Sequence, residues 1–395
     1  MTQPRSAPRP ASEPADAGRT AGRATFRAIV PAGGAGTRLW PLSRRTDPKF
    51  LHDLTASGRS LLQSTYARLR PLAEGVVVVT GAGHAAKVRS QLPDLPPGDV
   101  LAEPSPRDSM AAIALAAEVL RRRHPDEDLV VGSFAADHLI ADEPAFTSAV
   151  TRAVAAARHD YLVAIGIAPD EPSTAFGYIR VGAGGPVAGV EPVEDFVEKP
   201  SPEVVAGYLA AGGYLWNAGM YLCRAERLRE LLRRYQPALA AGIEEIAAAW
   251  DGPERAEVLE RVWPGLPAIA IDHALSEPLS RDGGVAVVPA DLGWSDIGDW
   301  DAIATALPEP SPVQAPPSGG RGAVRVLGPA GSADRVRAYG AEGSVVVPGE
   351  ATVVVLGIPG AVVVNTGDAI LVTTRDRAQH LKQVVDDLPR EGPLR

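Results

Sequence analysis

"IVPAGGAGTRLWPLSRRTDPKF", residues 29–50, runs an apolar strand into a glycine-rich turn and follows it with Arg38, Arg44, Arg45 and Lys49. Free backbone N–H groups in such a turn cradle anionic oxygens, and nearby cations favour the same ligand. Phosphate is therefore the chemistry to test. A P-loop would need Lys-Ser or Lys-Thr after its last glycine, and none follows. A dinucleotide fingerprint would need a small residue where Leu39 stands. With both motifs excluded, Gly33, Gly34 and Gly36 remain as positions of close approach beside Arg38 and Lys49. Taken alone, the glycines read equally well as a plain turn with surface cations.

Outward from this stretch, short apolar runs alternate with helical patterns as far as about residue 168. "AIVPA" (28–32), "VVVVT" (76–80), "DLVVGSF" (128–134) and "YLVAIGIA" (161–168) read as buried strands. "SLLQSTYARL" (60–69), "SMAAIALAAEVLRRR" (109–123) and "AFTSAVTRAVAAAR" (145–158) read as helices. This alternation predicts an α/β fold built on a mainly parallel sheet with helices on both faces. Past Phe176 the order loosens, with strands expected near 178–181, 193–198 and 218–223 and helices near 202–211 and 225–235. Residues 308–322, rich in Pro, Gly and Ser, read as a linker. Beyond them, "SVVVP", "ATVVVLGIPGAVVVNT" and "AILVTT" precede the helical "RAQHLKQVVDDL". The expected organisation is a disordered tail (1–25), a first domain (26–307), the linker, and a small, mostly β domain (323–395) with a structural or assembly role.

Bulk properties narrow the function. The 395 residues carry a formal net charge of −9, which argues against a general nucleic-acid binder. Cys223 is the only cysteine, so neither a disulfide framework nor a thiolate zinc site forms within the chain. That usage fits a reducing, cytoplasmic setting. The sequence has no signal-like apolar segment at its start and no run long enough to span a membrane. Glu13 and Asp16 count against a transit peptide.

"GGAGTRLWPLSR" followed by "PK" resembles the signature of sugar-nucleotide pyrophosphorylases, in its mannose-1-phosphate guanylyltransferase branch. Further blocks resemble that family in order: "EPSPRDSMAAIALAA" (103–117), "AADHLI" (135–140), "FGYI" (176–179), "FVEKP" (196–200), "YLWNAGMYL" (214–222) and "GWSDIGDWDAI" (293–303). The C-terminal "VVVNTGDAILVTTRDRAQHLKQVV" resembles the family's tail. The resemblance implies a Rossmann-like nucleotidyltransferase sheet and transfer of GMP from GTP to α-D-mannose 1-phosphate, releasing pyrophosphate and giving GDP-mannose. Such a reaction asks the protein to align two polyanions and neutralise charge, not to supply a nucleophile.

The resemblance also implies roles. The Gly33–Gly36 backbone and Arg38 would hold the triphosphate, with Lys49 near the α-phosphate. Asp137 follows a strand at its carboxyl end, where ligands of open α/β sheets bind, and a carboxylate there suits Mg²⁺. Asp296 is its natural partner, because Asp299 serves better as the cap of the following helix. His138 reads as a ligand or as a hydrogen bond to the loop. Glu198 would meet sugar hydroxyls and Lys199 the sugar phosphate, whereas the bland reading is a surface ion pair. Asn217, Gly219 and Gly177 join them as sugar-side candidates, with Trp216 as possible core packing and Gly177 as a possible plain turn. Arg107 and Asp108 are implied at the nucleotide base.

The chain departs from the family in three places. It reads "PKFL" for "PKQFL" and "PRDS" for a "GRNT"-like string, and it lacks a proline before "ADH". These changes bear on base selectivity and loop geometry and leave Arg38, Lys49, Asp137 and Asp296 in place. Competing functions are a nucleotidyltransferase for another sugar 1-phosphate or base, and a catalytically silent sugar-nucleotide sensor. Monomer and homodimer both stay open.

Overall fold

The computed structural model of the chain describes residues 23–34, 36–307, 323–389, 392 and 394. The expected linker and residues 1–22 of the expected tail lie outside the described residues.

β1 (Arg23–Ala32), β2 (Gly75–Gly81), β3 (Val100–Glu103) and β4 (Glu127–Ser133) pair in parallel. The chain then forms β5 (Leu139–Ile140), β6 (Leu162–Ile167), β7 (Tyr178–Val181), β8 (Glu191–Val197), β9 (Tyr214–Arg224), β10 (Val285–Ala290) and β11 (Trp294–Ser295). Nine of these make one sheet in the order β3-β2-β1-β4-β9-β6-β10-β8-β7. β9 enters antiparallel between β4 and β6, whereas β6 and β10 are parallel to each other. Strands β1 to β4, β6 and β10 thus share one direction, and the sheet is mixed through β9 and β8.

Both faces are covered. Along β1, Ile29 packs into the core beneath the helix Asp108–Arg123 and the helices of residues 225–249. Its neighbours Ala28 and Val30 pack the other way, against the helix Glu143–Ala157. Strands buried on both sides read as continuous apolar runs for this reason.

The C-terminal part contains β12 (Arg325–Val326), β13 (Val336–Tyr339), β14 (Val345–Val347), β15 (Val353–Leu356), β16 (Ala361–Asn365) and β17 (Ile370–Thr374). β12, β14 and β16 stack in parallel, as do β13 and β15, so the chain coils through successive rungs. The residues of β14 point alternately to opposite faces. Val346 joins an interior cluster with Val336, Ala338 and Val355. Val345 and Val347 face the first domain and share a core with Leu39, Trp40, Ile297 and Trp300. The expected terminal helix begins as a 3-10 segment, Arg375–His380, and becomes α-helical over Leu381–Asp387. Its buried Leu381 and Val385 belong to the same shared core.

Candidate active site

β1 delivers the glycine turn. Gly36 sits in the left-handed region at φ 56° and caps a short 3-10 turn, Thr37–Leu39, whose Leu39 is fully buried. A Cβ on Gly36 would lie 2.8 Å from Lys49 Cβ and 2.9 Å from Ser43 Oγ. The glycine therefore lets the turn close onto Lys49. Gly33 and Gly34 have open space where a Cβ would be.

Two backbone devices bring the aspartates to this turn. Beyond β4 the pairing with β1 continues, with Phe134 N–H donating to Ile29 O and Ala136 N–H to Pro31 O. Asp137 thereby emerges beside the end of β1. The two-residue strands β5 and β11 then pair antiparallel, Leu139 opposite Ser295, which carries Asp296 across to the Asp137–His138 side. Asp299 accepts from the N–H groups of Asp301 and Ala302 as the helix cap, and Asp296 is left to the cleft.

Gly36, Thr37, Arg38, Lys49, Asp137 and Asp296 line one cleft of about 590 Å³, completed by His138, Gly298, Gln379 and Lys382. Lys49 is buried, and its Nζ donates to Asp137 Oδ2 at 2.7 Å and to Asp296 O at 2.6 Å. Burial alone would raise the Asp137 pKa, but the Lys49 ammonium and His138 outweigh it and hold the carboxyl below the usual range. Burial lowers the His138 pKa. Its Nδ1 accepts a hydrogen bond from Trp294 Nε1–H at 3.3 Å. Among the described residues no group of three or more His, Cys, Asp or Glu side chains could hold a metal. Asp137 and Asp296 alone are an oxygen donor pair, suited to a cation that also takes phosphate oxygens.

A second group forms beside the first. A Cβ on Gly177 would lie 2.5 Å from Glu198 Oε2 and 3.4 Å from Asn217 Cβ, so the glycine makes room for the carboxylate. Asn217 N–H donates to Gly177 O, and Asn217 Oδ1 accepts from Gly219 N–H. Burial, with Asp272 nearby, raises the Glu198 pKa against the pull of Lys199, whose Nζ donates to Glu198 Oε1 at 2.8 Å. Among the described residues Glu198 Oε2 is buried with no hydrogen-bond partner, an acceptor open to a hydroxyl donor. Gly219, at φ 67°, lies against His138 and joins the two groups. Trp216 is core packing, with its ring 4.9 Å from that of Phe176.

Arg107 and Asp108, expected at the base, do not line the cleft at the glycine turn. Arg107 donates to Pro264 O, and the Asp108 charge acts on Lys199. Other residues of the site carry no signal in the sequence. Asp272 accepts from Asn217 Nδ2 and from the Tyr221 hydroxyl, each at 2.7 Å, and it sits in a π-helical turn that no local pattern announces. Gln379 and Lys382 come from the C-terminal part, for which the sequence suggests a structural or assembly role.

Comparison with known proteins adds to this geometry. A family model described as Nucleotidyl transferase matches residues 27–310, and one described as MannoseP isomerase/GMP-like beta-helix domain matches residues 337–388. Xanthan biosynthesis protein XanB of Xanthomonas campestris is 42% identical over 282 residues, covering 70% of this chain and 58% of that protein. Mannose-1-phosphate guanylyltransferase of Escherichia coli K12 is 41% identical over 286 residues, with the same coverage. The chain thus spans less than two thirds of the length of these relatives. A crystal structure titled mannose-1-phosphate geranyltransferase, from Thermus thermophilus, superposes with a TM-score of 0.77 at 31% identity, covering 92% of this chain and 98% of the other.

Proposed function

The chain belongs to the nucleotidyl transferase family, and from that premise we propose that it transfers GMP from GTP to α-D-mannose 1-phosphate, releasing pyrophosphate and giving GDP-mannose. The observation that carries this reading is the convergence of Arg38, Lys49, Asp137 and Asp296 on one cleft, joined through Gly219 and His138 to the Gly177–Glu198–Asn217 group. A cationic, carboxylate-lined half next to a hydroxyl-binding half is what two phosphorylated substrates need. The names of the relatives favour guanine and mannose among the alternatives.

In this reading the backbone of the Gly33–Gly36 turn and the Arg38 guanidinium hold the triphosphate of GTP. Asn217, Glu198 and the backbone at Gly177 and Gly219 orient the sugar, and Lys199 pairs with its phosphate. A phosphate oxygen of the sugar 1-phosphate then attacks the α-phosphorus in line with the pyrophosphate leaving group. Lys49 stands beside that phosphorus as a fixed positive charge, and preorganised charge of this kind costs no reorganisation during reaction. Asp137 and Asp296 would hold Mg²⁺, which when bound neutralises charge on the reacting phosphates.

The test is direct. The protein is incubated with Mg²⁺, mannose 1-phosphate and each nucleoside triphosphate in turn, and released pyrophosphate is measured. GTP is expected to give the fastest release. Faster release with another nucleotide or another sugar 1-phosphate would reassign the substrates, and no release with any would favour a sensor.

A further inference from the structure

We propose that Lys382, supplied by the C-terminal β domain, is a phosphate-binding residue of the nucleotide site, so that the site is shared between the two domains. The proposal rests on the cleft being the triphosphate site.

Lys382 and Gln379 line the same cleft as Gly36, Arg38, Lys49 and Asp137. Their position follows from packing. The helix Leu381–Asp387 lies on the turn Thr37–Leu39, with Leu381 and Val385 buried in the core that also holds Leu39, Trp40, Ile297 and Trp300. Residue 382 then falls on a side of the helix left exposed, at the rim of the cleft beside the glycine turn.

The helix is not free to drift. Arg44, six residues past Arg38, donates to both oxygens of Asp368 at 2.6 and 2.7 Å and to Thr366. Arg375 is paired with Asp301 at 2.5 Å, and Trp40 Nε1–H reaches Leu394 O at 2.7 Å. These contacts tie the C-terminal part to the first domain. Among the described residues Lys49 is paired with Asp137, while Lys382 has no carboxylate partner. An ammonium with three donors, lining one cleft with Gly36 and Arg38, is complementary to a polyphosphate. In this proposal it meets the β- and γ-phosphates, which leave as pyrophosphate. Gln379 would add a neutral donor to the same oxygens.

The experiment compares the full-length chain with Lys382→Ala and Lys382→Arg. Binding of Mg²⁺–pyrophosphate and Mg²⁺–GTP is measured by calorimetry, and KM values for GTP and mannose 1-phosphate are measured in turnover. Loss of a charge-assisted contact at an exposed rim is expected to weaken both phosphate ligands by about tenfold. The KM for mannose 1-phosphate and the melting temperature should stay nearly unchanged, and arginine should restore most of the affinity. Unchanged pyrophosphate and GTP affinity in Lys382→Ala would overturn the proposal, as would an equal loss for both substrates together with a lowered melting temperature. Wild-type protein that binds pyrophosphate without turning over would instead count against the reaction, since calorimetry reads the phosphate site independently of the chemistry.

Discussion

Lys49 is held at once by a carboxylate and by a backbone carbonyl of the opposite loop, and this ties the fate of Asp137 to it. Asp137→Asn keeps the shape and an acceptor oxygen, and Lys49 keeps the Asp296 carbonyl. Stability should therefore fall by only about 1–2 kcal/mol, seen as a small drop in denaturation midpoint. Turnover should fall by roughly three orders of magnitude, because the proposed metal site would lose a full charge worth several kcal/mol to the transition state. Near-normal turnover at ordinary Mg²⁺ would remove Asp137 from the metal site. Glu103, at the end of β3, gives a different prediction. Its Oε1 is buried without a partner among the described residues, and burial pushes its pKa up to about 7 from a usual 4.5. A raised carboxyl pKa contributes stability that is fully present below about pH 4.5 and is lost as pH rises to 7, since the unfolded chain ionises first. Glu103→Gln should therefore stabilise the protein at pH 8 relative to wild type, by at most about 3 kcal/mol, with little difference at pH 4.5. Urea titrations at the two pH values measure this, and an equal effect at both would refute the assignment.

At the scale of elements, the legible parts were those whose pattern is local. β1, β2, β4 and β6 carry continuous apolar runs, and the helices Leu61–Leu69, Asp108–Arg123 and Glu143–Ala157 are long apolar-rich stretches. "VAVVPA", which becomes β10 between β6 and β8 inside the sheet, is just as apolar but lies in a stretch of irregular pattern that hides it. β5 and β11 have two residues each, too few for any periodicity, yet their pairing aims Asp296. Likewise, only the fold reveals that Gly177 must lack a Cβ, because Glu198 reaches it from just past the end of β8. The residues proposed to bind phosphate were legible through the glycine motif and its family resemblance, whereas Asp272 and Lys382 stand out through tertiary placement alone. The glycine turn itself separates steric from ligand effects. Gly36→Ala forces a side chain into φ 56° against Lys49 and Ser43, which should cost about 1–3 kcal/mol of stability and displace Lys49. Turnover should drop at least about tenfold, since small misplacements of reacting groups are costly. Gly33→Ala meets nothing within 4 Å, so its stability should match wild type while the KM for GTP rises. Equal stability of the two variants would show that the turn does not depend on Gly36.

For the whole molecule, the two domains share a core as well as a cleft. Leu39, Trp40, Ile297, Trp300 and Ile303 are buried together with Val345, Val347, Val362, Leu371 and Leu381. Ending the chain after residue 307 would bare the first set and strip Arg44 and Asp301 of Asp368 and Arg375. At about 25 cal/mol for each Å² of apolar surface returned to water, a few hundred Å² cost several kcal/mol, a large part of ordinary domain stability. The turn Thr37–Leu39 lies directly on that surface, so the damage reaches the proposed nucleotide site rather than stopping at the interface. Residues 1–307 alone are expected to aggregate, or to melt at least about 5 °C lower where they stay soluble. The soluble fraction should also bind GTP more weakly than the full chain, with mannose 1-phosphate affected less, because the Gly177–Glu198–Asn217 group lies wholly within the first domain. A truncated protein with unchanged melting temperature and unchanged KM for GTP would show that the β domain neither supports nor completes the site. Chromatography, thermal melts and turnover on one preparation decide between these outcomes.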